Sequence, residues 1–357
     1  MKQIFFTPGP AQLYPSVARH LKIGLEENIF SISHRSQKFK DIYEGTVEGL
    51  IKLLKIPDDY KIVFVASATE AMERLIENIV EKKSFHFVNG SFGKRWQEIA
   101  VELKRETCVI EIPFGEGFKD VPEIPKDTEL ICFTHNETSS GVALNTEFIY
   151  KIGKANPKAL LAVDTVSSAP YIDIDFKRID AVFFSVQKLF GLPAGLGVMI
   201  LSPKAIEKAT KLQKKGLNIG SYHNLPSLVD WAEKNQTIET PSVLHIYLLG
   251  KVLEDMNKKD IKKIREELDE RAKLIYDFFD NNTNFKPFVK NKKDRSQTVI
   301  VITLGDKTEE IKAKLEEKGL IVGGGYGPFK NTQIRIANFP AVGDKDISVL
   351  INEFKKF

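Results

Sequence analysis

Two residues near the middle of the chain have the types and the setting for covalent chemistry. Asp164 closes the apolar run Leu160-Leu161-Ala162-Val163, and Lys188 follows the next one, Ala181-Val182-Phe183-Phe184. If these runs are strands of one parallel sheet, carboxylate and amine emerge at the same carboxyl edge and point into one crevice. Burial among apolar neighbours lowers a lysine's affinity for protons and makes it a nucleophile that forms imines with aldehydes. A carboxylate in the same crevice can hold a ring nitrogen protonated. The Gly-rich run Gly191-Leu192-Pro193-Ala194-Gly195-Leu196-Gly197 after Lys188 sets it apart from the many lysines of solvated helix faces.

A third element completes the pattern. The apolar run Ile62-Val63-Phe64-Val65 leads into Ala66-Ser67-Ala68-Thr69-Glu70-Ala71 and then an amphipathic helix. Small residues at a helix start let backbone N–H groups and hydroxyls approach an anion, which the helix dipole also favours. Ser67 or Thr69 acting as a simple helix cap is the plainer alternative. An anion site, an acid and an imine-forming lysine on one sheet edge together fit pyridoxal 5'-phosphate. Further candidates lie on loops after other strands. Phe92, between Gly90 and Gly93, can stack on a planar ring, although an isolated aromatic is more often core. Thr138, in His135-Asn136-Glu137-Thr138-Ser139-Ser140-Gly141, can bond a phenolic oxygen. Arg335 lies inside the apolar run Ile334-Arg335-Ile336-Ala337, where an unpaired guanidinium is costly. A substrate carboxylate is a good partner for it, and a structural ion pair is the alternative. His34-Arg35 offers a second anion clamp or a solvated surface.

Periodicity supplies the scaffold. Strands are expected at 62–65, 85–88, 130–133, 160–163, 181–184 and 198–201, alternating with helices. One helix buries Met72, Leu75, Ile76, Ile79 and Val80, and another buries Trp96, Ile99, Ala100 and Leu103. Such alternation predicts an α/β fold with a mostly parallel sheet covered by helices on both faces. Beyond residue 203 helices dominate to about 280. A smaller α/β unit follows, with strands at 298–303 and 333–337 and helices at 308–318 and 344–354. A large domain over 16–250 and a small one built from 1–15 and 251–357 are expected.

Composition narrows the function classes. With 42% hydrophobic and 28% charged residues in 357, the chain can bury a sizeable core. A net charge of +4, from 52 basic and 48 acidic residues spread along the chain, gives no reason to expect nucleic acid or a membrane as partner. The N-terminal stretch has no long apolar segment and no run approaches a membrane span, so a cytoplasmic protein is expected. Cys108 and Cys132 both sit in apolar runs and read as free buried thiols, with no metal site.

Together these motifs, from Thr7-Pro8-Gly9-Pro10 to Arg335, resemble the class V aminotransferases, a branch of the fold-type I pyridoxal-phosphate enzymes. The resemblance implies a homodimer with active sites shared between subunits. It makes Lys188 the Schiff-base lysine and Asp164 the partner of the ring nitrogen, with Phe92 stacked on the ring and Thr138 at the phenolic oxygen. Ser67, Ala68, Thr69 and Gln187 fall on the phosphate side, and Thr240 matches a phosphate contact lent by the second subunit. Arg335 matches the arginine for the substrate α-carboxylate, and His34 and Arg35 match a pair that meets a substrate phosphate from the partner. The implied activity is ping-pong transamination of amino acids and 2-oxo acids, with Lys188 moving the α-proton. Within the family the run from Gln187 to Leu196 and the segment Arg335-Ile336-Ala337-Asn338-Phe339 lean toward phosphoserine:2-oxoglutarate transamination in serine biosynthesis. Phe92 to Trp96 and His135 to Ser139 look closer to the alanine/serine–glyoxylate group. Phosphoserine aminotransferases commonly have an arginine in the phosphate loop, a tryptophan at 92 and an asparagine at 239; this chain has Ala68-Thr69-Glu70, Phe92 and Glu239. A lyase such as a cysteine desulfurase would need a mobile loop cysteine, and a non-catalytic cofactor-binding protein would not need Lys188. A nicotinamide enzyme, suggested by Gly323-Gly324-Gly325-Tyr326-Gly327, lacks the strand-to-helix spacing.

Overall fold

Alternate residues of a strand face opposite sides of its sheet, and here both sides are apolar. Ile62 and Phe64, Ile131 and Phe133, Leu161 and Val163, and Val182 and Phe184 enter one core, against helices Gln37–Leu54 and Val243–Lys259. Val63 and Val65, Leu130 and Cys132, Ala162, and Ala181 and Phe183 enter a second core, against helices Ala68–Ile79, Ser91–Glu102, Pro203–Lys214 and Leu225–Ala232. A sheet covered on both faces is the α/β arrangement expected from the sequence. The structure, a computed structural model, describes residues 3–357.

The large sheet has seven strands in the order Lys61–Val65, Gly197–Leu201, Ala181–Ser185, Leu160–Asp164, Leu130–Thr134, Lys83–Val88 and Glu106–Glu111. All run the same way except Gly197–Leu201, which is antiparallel to both its neighbours. The register pairs Thr134 with Asp164, and Asp164 with Phe183, so the carboxyl ends of these strands are level. The loops bearing Ser67, Phe92, Thr138 and Lys188 all leave from that edge. Six of the seven strands lie where periodicity placed them. The seventh, Glu106–Glu111, is an edge strand with exposed and half-buried positions, so its apolar signal is weak.

A second sheet of five strands has the order Ile4–Phe6, Leu320–Gly324, Gln333–Ala337, Val299–Thr303 and Lys286–Pro287. Its core includes Phe6, Ile300, Ile302, Ile334, Ile336 and Ile347. The N-terminal strand thus pairs, in parallel, with Leu320–Val322. Helix Ile261–Asn281 spans both cores, with Ile264 and Leu268 in the first and Ala272, Ile275 and Phe279 in the small one. We propose the division between the two units inside this helix, because helix Val243–Lys259 runs unbroken through residue 250 and packs wholly on the large core.

The antiparallel strand bears directly on the site. An added Cβ at Gly197 would lie 2.7 Å from the backbone carbonyl carbon of Ser67, in the loop that opens helix Ala68–Ile79. Gly197→Ala should therefore push that loop aside and destabilise the fold by about 1–3 kcal/mol, read as a lowered Tm. A Tm equal to that of the parent chain would show that the loop gives way freely.

Candidate active site

The loops at the carboxyl edge of the large sheet and the strand carrying Arg335 enclose a cavity of about 670 Å³. Ser67, Ala68, Thr69, Phe92, Thr138, Asp164, Gln187, Lys188 and Arg335 all line it. His34, Arg35 and Thr240 do not. Residues from positions 67 to 335 thus meet in one space because six parallel strands end there and the small sheet abuts them.

Lys188 is 7% exposed and Asp164 4%. The Lys188 amine donates to Thr138 Oγ1 at 3.0 Å and sits 5.0 Å from the Phe92 ring centroid. Thr138 Oγ1 in turn donates to Ser167 Oγ at 2.9 Å. Burial pulls Lys188 down to about 8, against the opposing pull of Asp164 and Glu137. Burial also raises Asp164 to about 7, countered by the Val166 N–H that donates to it at 2.8 Å. A protonated ring nitrogen beside Asp164 is the partner that would keep it ionised. Gly9, with φ of +139°, lies over the lysine stem, where an added Cβ would come 3.1 Å from Lys188 Cε.

On the anion side, Ser67 caps helix Ala68–Ile79 by accepting from the Glu70 N–H at 3.1 Å, so the plainer reading of Ser67 holds too. The Ala68 N–H donates to Ser185 Oγ at 2.8 Å. The Thr134 Oγ1 atom is buried without a partner although the residue lines the cavity, and Gln187, which also lines it, offers its amide N–H₂ as a donor. These donors, the helix N-terminus and the desolvated amine fit pyridoxal phosphate. Ser67, Ala68, Thr69 and Gln187 would hold its phosphate, Asp164 its ring nitrogen and Lys188 its carbonyl carbon.

Arg335 lies in strand Gln333–Ala337, opposite Gly323 of the neighbouring strand. Its Nε donates to the Gly324 carbonyl at 2.7 Å, and its guanidinium carbon lies 5.2 Å from the Tyr326 ring centroid. It forms no ion pair among the described residues, so the structural-pair alternative fails and its Nη groups remain for an anion. Gly323 is explained by packing, since an added Cβ there would reach Pro8 Cδ at 2.5 Å. The run from 323 to 327 thus serves close approach and opens no nucleotide-binding helix.

Arg35 is engaged elsewhere. Its Nη1 donates to Gln236 Oε1 at 2.8 Å and the Thr237 carbonyl at 2.7 Å, its Nη2 donates to the Ile238 carbonyl at 3.1 Å, and it stacks on Trp231. It braces the segment that carries Glu239 and exposed Thr240, keeping Nε–H and one Nη2 hydrogen for any anion. His34 is half-buried beside it, near Phe39.

Ser185, Ser167, Tyr326 and His223 also shape the site, although their sequence context does not mark them. Ser185 and Ser167 act through hydroxyls that any strand end or loop supplies, so no pattern distinguishes them. His223 is held between Glu70 and Glu239, with its Nε2 3.0 Å from the Glu239 carboxylate. It ties the Thr240 segment to the helix after Ser67. Cys108 and Cys132 are free thiols that do not line the cavity, Cys108 only half-buried at the sheet edge. No metal-ligand cluster occurs among the described residues, and no described helix is long and apolar enough to cross a membrane.

A mixed sheet with a cradle for an anion, a desolvated lysine and an aspartate at one edge defines a pyridoxal-phosphate-type site. The aminotransferase class-V family model matches residues 4–328, and the chain belongs to that family. The phosphoserine aminotransferase of Rhodococcus opacus is 28% identical over 349 residues, covering 97% of this chain and 92% of the relative. The crystal structure of a phosphoserine aminotransferase from Cytophaga hutchinsonii is 48% identical, covers 99% of this chain and 98% of its own, and superposes with a TM-score of 0.98. Alanine–glyoxylate aminotransferase from Nostoc shares the fold at 20% identity and a TM-score of 0.80.

The His223 bridge has a pH signature. Hydrogen bonds to Glu239 and Glu70 hold His223 up to about 9, above its ordinary 6.5. A raised value in the folded state means that the stabilisation is complete below about pH 6.5 and lost as pH rises through about 9. Across that window Tm should fall further in the parent chain than in His223→Gln. Equal falls would show that the bridge contributes nothing.

Proposed function

We propose that this chain transaminates O-phospho-L-serine with a 2-oxo acid, the reading that its relatives' names and its site support together. The observation that carries the chemistry is one cavity holding a buried lysine, a buried aspartate and an arginine with free donors. Bound pyridoxal phosphate would supply an electron sink for the bonds at the substrate's α-carbon. Lys188, released as a free amine, is the base that takes the α-proton, and burial near neutrality suits it to give the proton back. Arg335 orients the substrate by its α-carboxylate through two parallel N–H donors. Phe92 and the wall of the cavity exclude water from one face. We also propose a homodimer, in which exposed Thr240 serves the second copy's phosphate side and His34 and Arg35, the latter through its remaining N–H donors, meet the substrate's phosphate.

Lys188→Ala should lower transamination by at least about 10³-fold, since it removes both nucleophile and base. Substantial residual turnover would sink the assignment. Arg335→Ala should raise KM for the amino acid about 10–100-fold with a smaller change in kcat. For the substrate, the visible band of the cofactor-loaded protein is followed as amino acids are added. Conversion by O-phospho-L-serine, with L-alanine and L-serine far slower, is the expected result. Conversion by L-alanine or L-serine alone would instead favour the alanine/serine–glyoxylate activity.

A further inference from the structure

One buried charge at the site has no part in that chemistry. Glu137 is 0% exposed, yet forms no ion pair among the described residues. A lone buried carboxylate is costly unless hydrogen bonds replace its water. Four do. Oε2 accepts from the N–H groups of Phe92 and Gly93, each at 3.0 Å, and Oε1 accepts from the N–H of Ser139 at 3.0 Å and its Oγ at 2.6 Å. Ser139 Oγ also accepts from the Ser91 N–H at 2.9 Å.

Ser91, Phe92 and Gly93 are the first three residues of helix Ser91–Glu102, and such N–H groups have no partner within their own helix. The cap position is Gly90, which has no side chain to offer. Glu137 and Ser139 therefore cap this helix from another loop, and the helix dipole favours the carboxylate. Gly90 allows it, because an added Cβ would collide with the Glu137 side chain. The same carboxylate thus joins the helix start bearing Phe92 to the loop bearing Thr138, whose hydroxyl already holds Lys188.

We propose that Glu137 is a positioning residue, locking the Phe92 helix onto the Thr138 loop so that ring and hydroxyl face Lys188 in one arrangement. The proposal rests on the reading of Phe92, Thr138 and Lys188 as cofactor contacts. Its charge gives it a second, separable signature. The ionisable groups acting on Lys188 are Asp164, Glu137 and Arg335, and the two carboxylates favour its ammonium form. Removing the Glu137 charge destabilises that form.

Cofactor-free protein and three variants, Glu137→Gln, Ser139→Ala and Phe92→Leu, are compared in two measurements. One is the Kd for pyridoxal phosphate by absorbance titration. The other is the pH midpoint of Lys188 acetylation by acetic anhydride, read peptide by peptide by mass spectrometry. Glu137→Gln should weaken binding about 10–100-fold, the worth of hydrogen bonds to a charged group, and move the Lys188 midpoint to lower pH. Ser139→Ala keeps the charge but loses the hydroxyl that orients it, so binding should weaken about 3–10-fold with the midpoint unmoved. If Glu137→Gln does not fold, Ser139→Ala decides. Phe92→Leu should weaken binding with the midpoint unmoved. Weaker binding in Phe92→Leu with parental binding in the other variants would overturn the positioning role and leave the Phe92 reading standing. Parental binding in Phe92→Leu would overturn that reading and the proposal with it.

Discussion

An amine and a carboxyl group, both buried, share one cavity here without pairing with each other, and the site depends on that arrangement. Burial disfavours the charged form of each, drawing Lys188 down and Asp164 up until both lie near neutrality. A direct ion pair would have cancelled the effect and left an inert salt link. The structure prevents it by giving each group another partner: Thr138 for the lysine amine, and the Val166 N–H for the aspartate. The protein bears the desolvation cost because the groups are fixed at the ends of adjoining strands in a sheet apolar on both faces.

Around this pair the remaining parts are set by close approach. Gly9 lets the N-terminal segment cover the lysine stem, and Gly197 lets the antiparallel strand pass behind the anion loop. The small sheet contributes Arg335 by register, its strand held between Val299–Thr303 and Leu320–Gly324. Glu70, His223 and Glu239 join the start of the anion-side helix to the segment bearing Thr240. His223 accommodates both carboxylates, so the two acidic side chains are held by one imidazole.

Much of this was legible in the sequence. The strands ending in Val65, Asp164 and Ser185 were marked by continuous apolar runs, because a buried strand needs apolar residues on both sides. The loops after them held the small and polar residues that a cofactor needs. What was not legible depended on contacts distant in the chain. Strands Ile4–Phe6 and Leu320–Gly324 are short or glycine-bearing and gain their place from pairing with each other. Arg335 could be recognised as anomalous in its apolar run, but only the fold shows that no carboxylate meets it. Arg35 looked free in sequence because its acceptors, the Gln236 side chain and the Thr237 and Ile238 carbonyls, lie more than 200 residues away. Glu137 read as one polar loop residue among several, since capping another element leaves no local pattern.

Whether Lys188 is the amine poised for carbonyl chemistry among the chain's many lysines can be measured directly. Cofactor-free protein is mixed with one equivalent of pyridoxal phosphate, reduced with borohydride, digested and mapped by mass spectrometry. The cofactor's mass should appear on the peptide containing Lys188 and on no other in significant amount. Label spread over surface lysines, with Lys188 unmodified, would contradict that role.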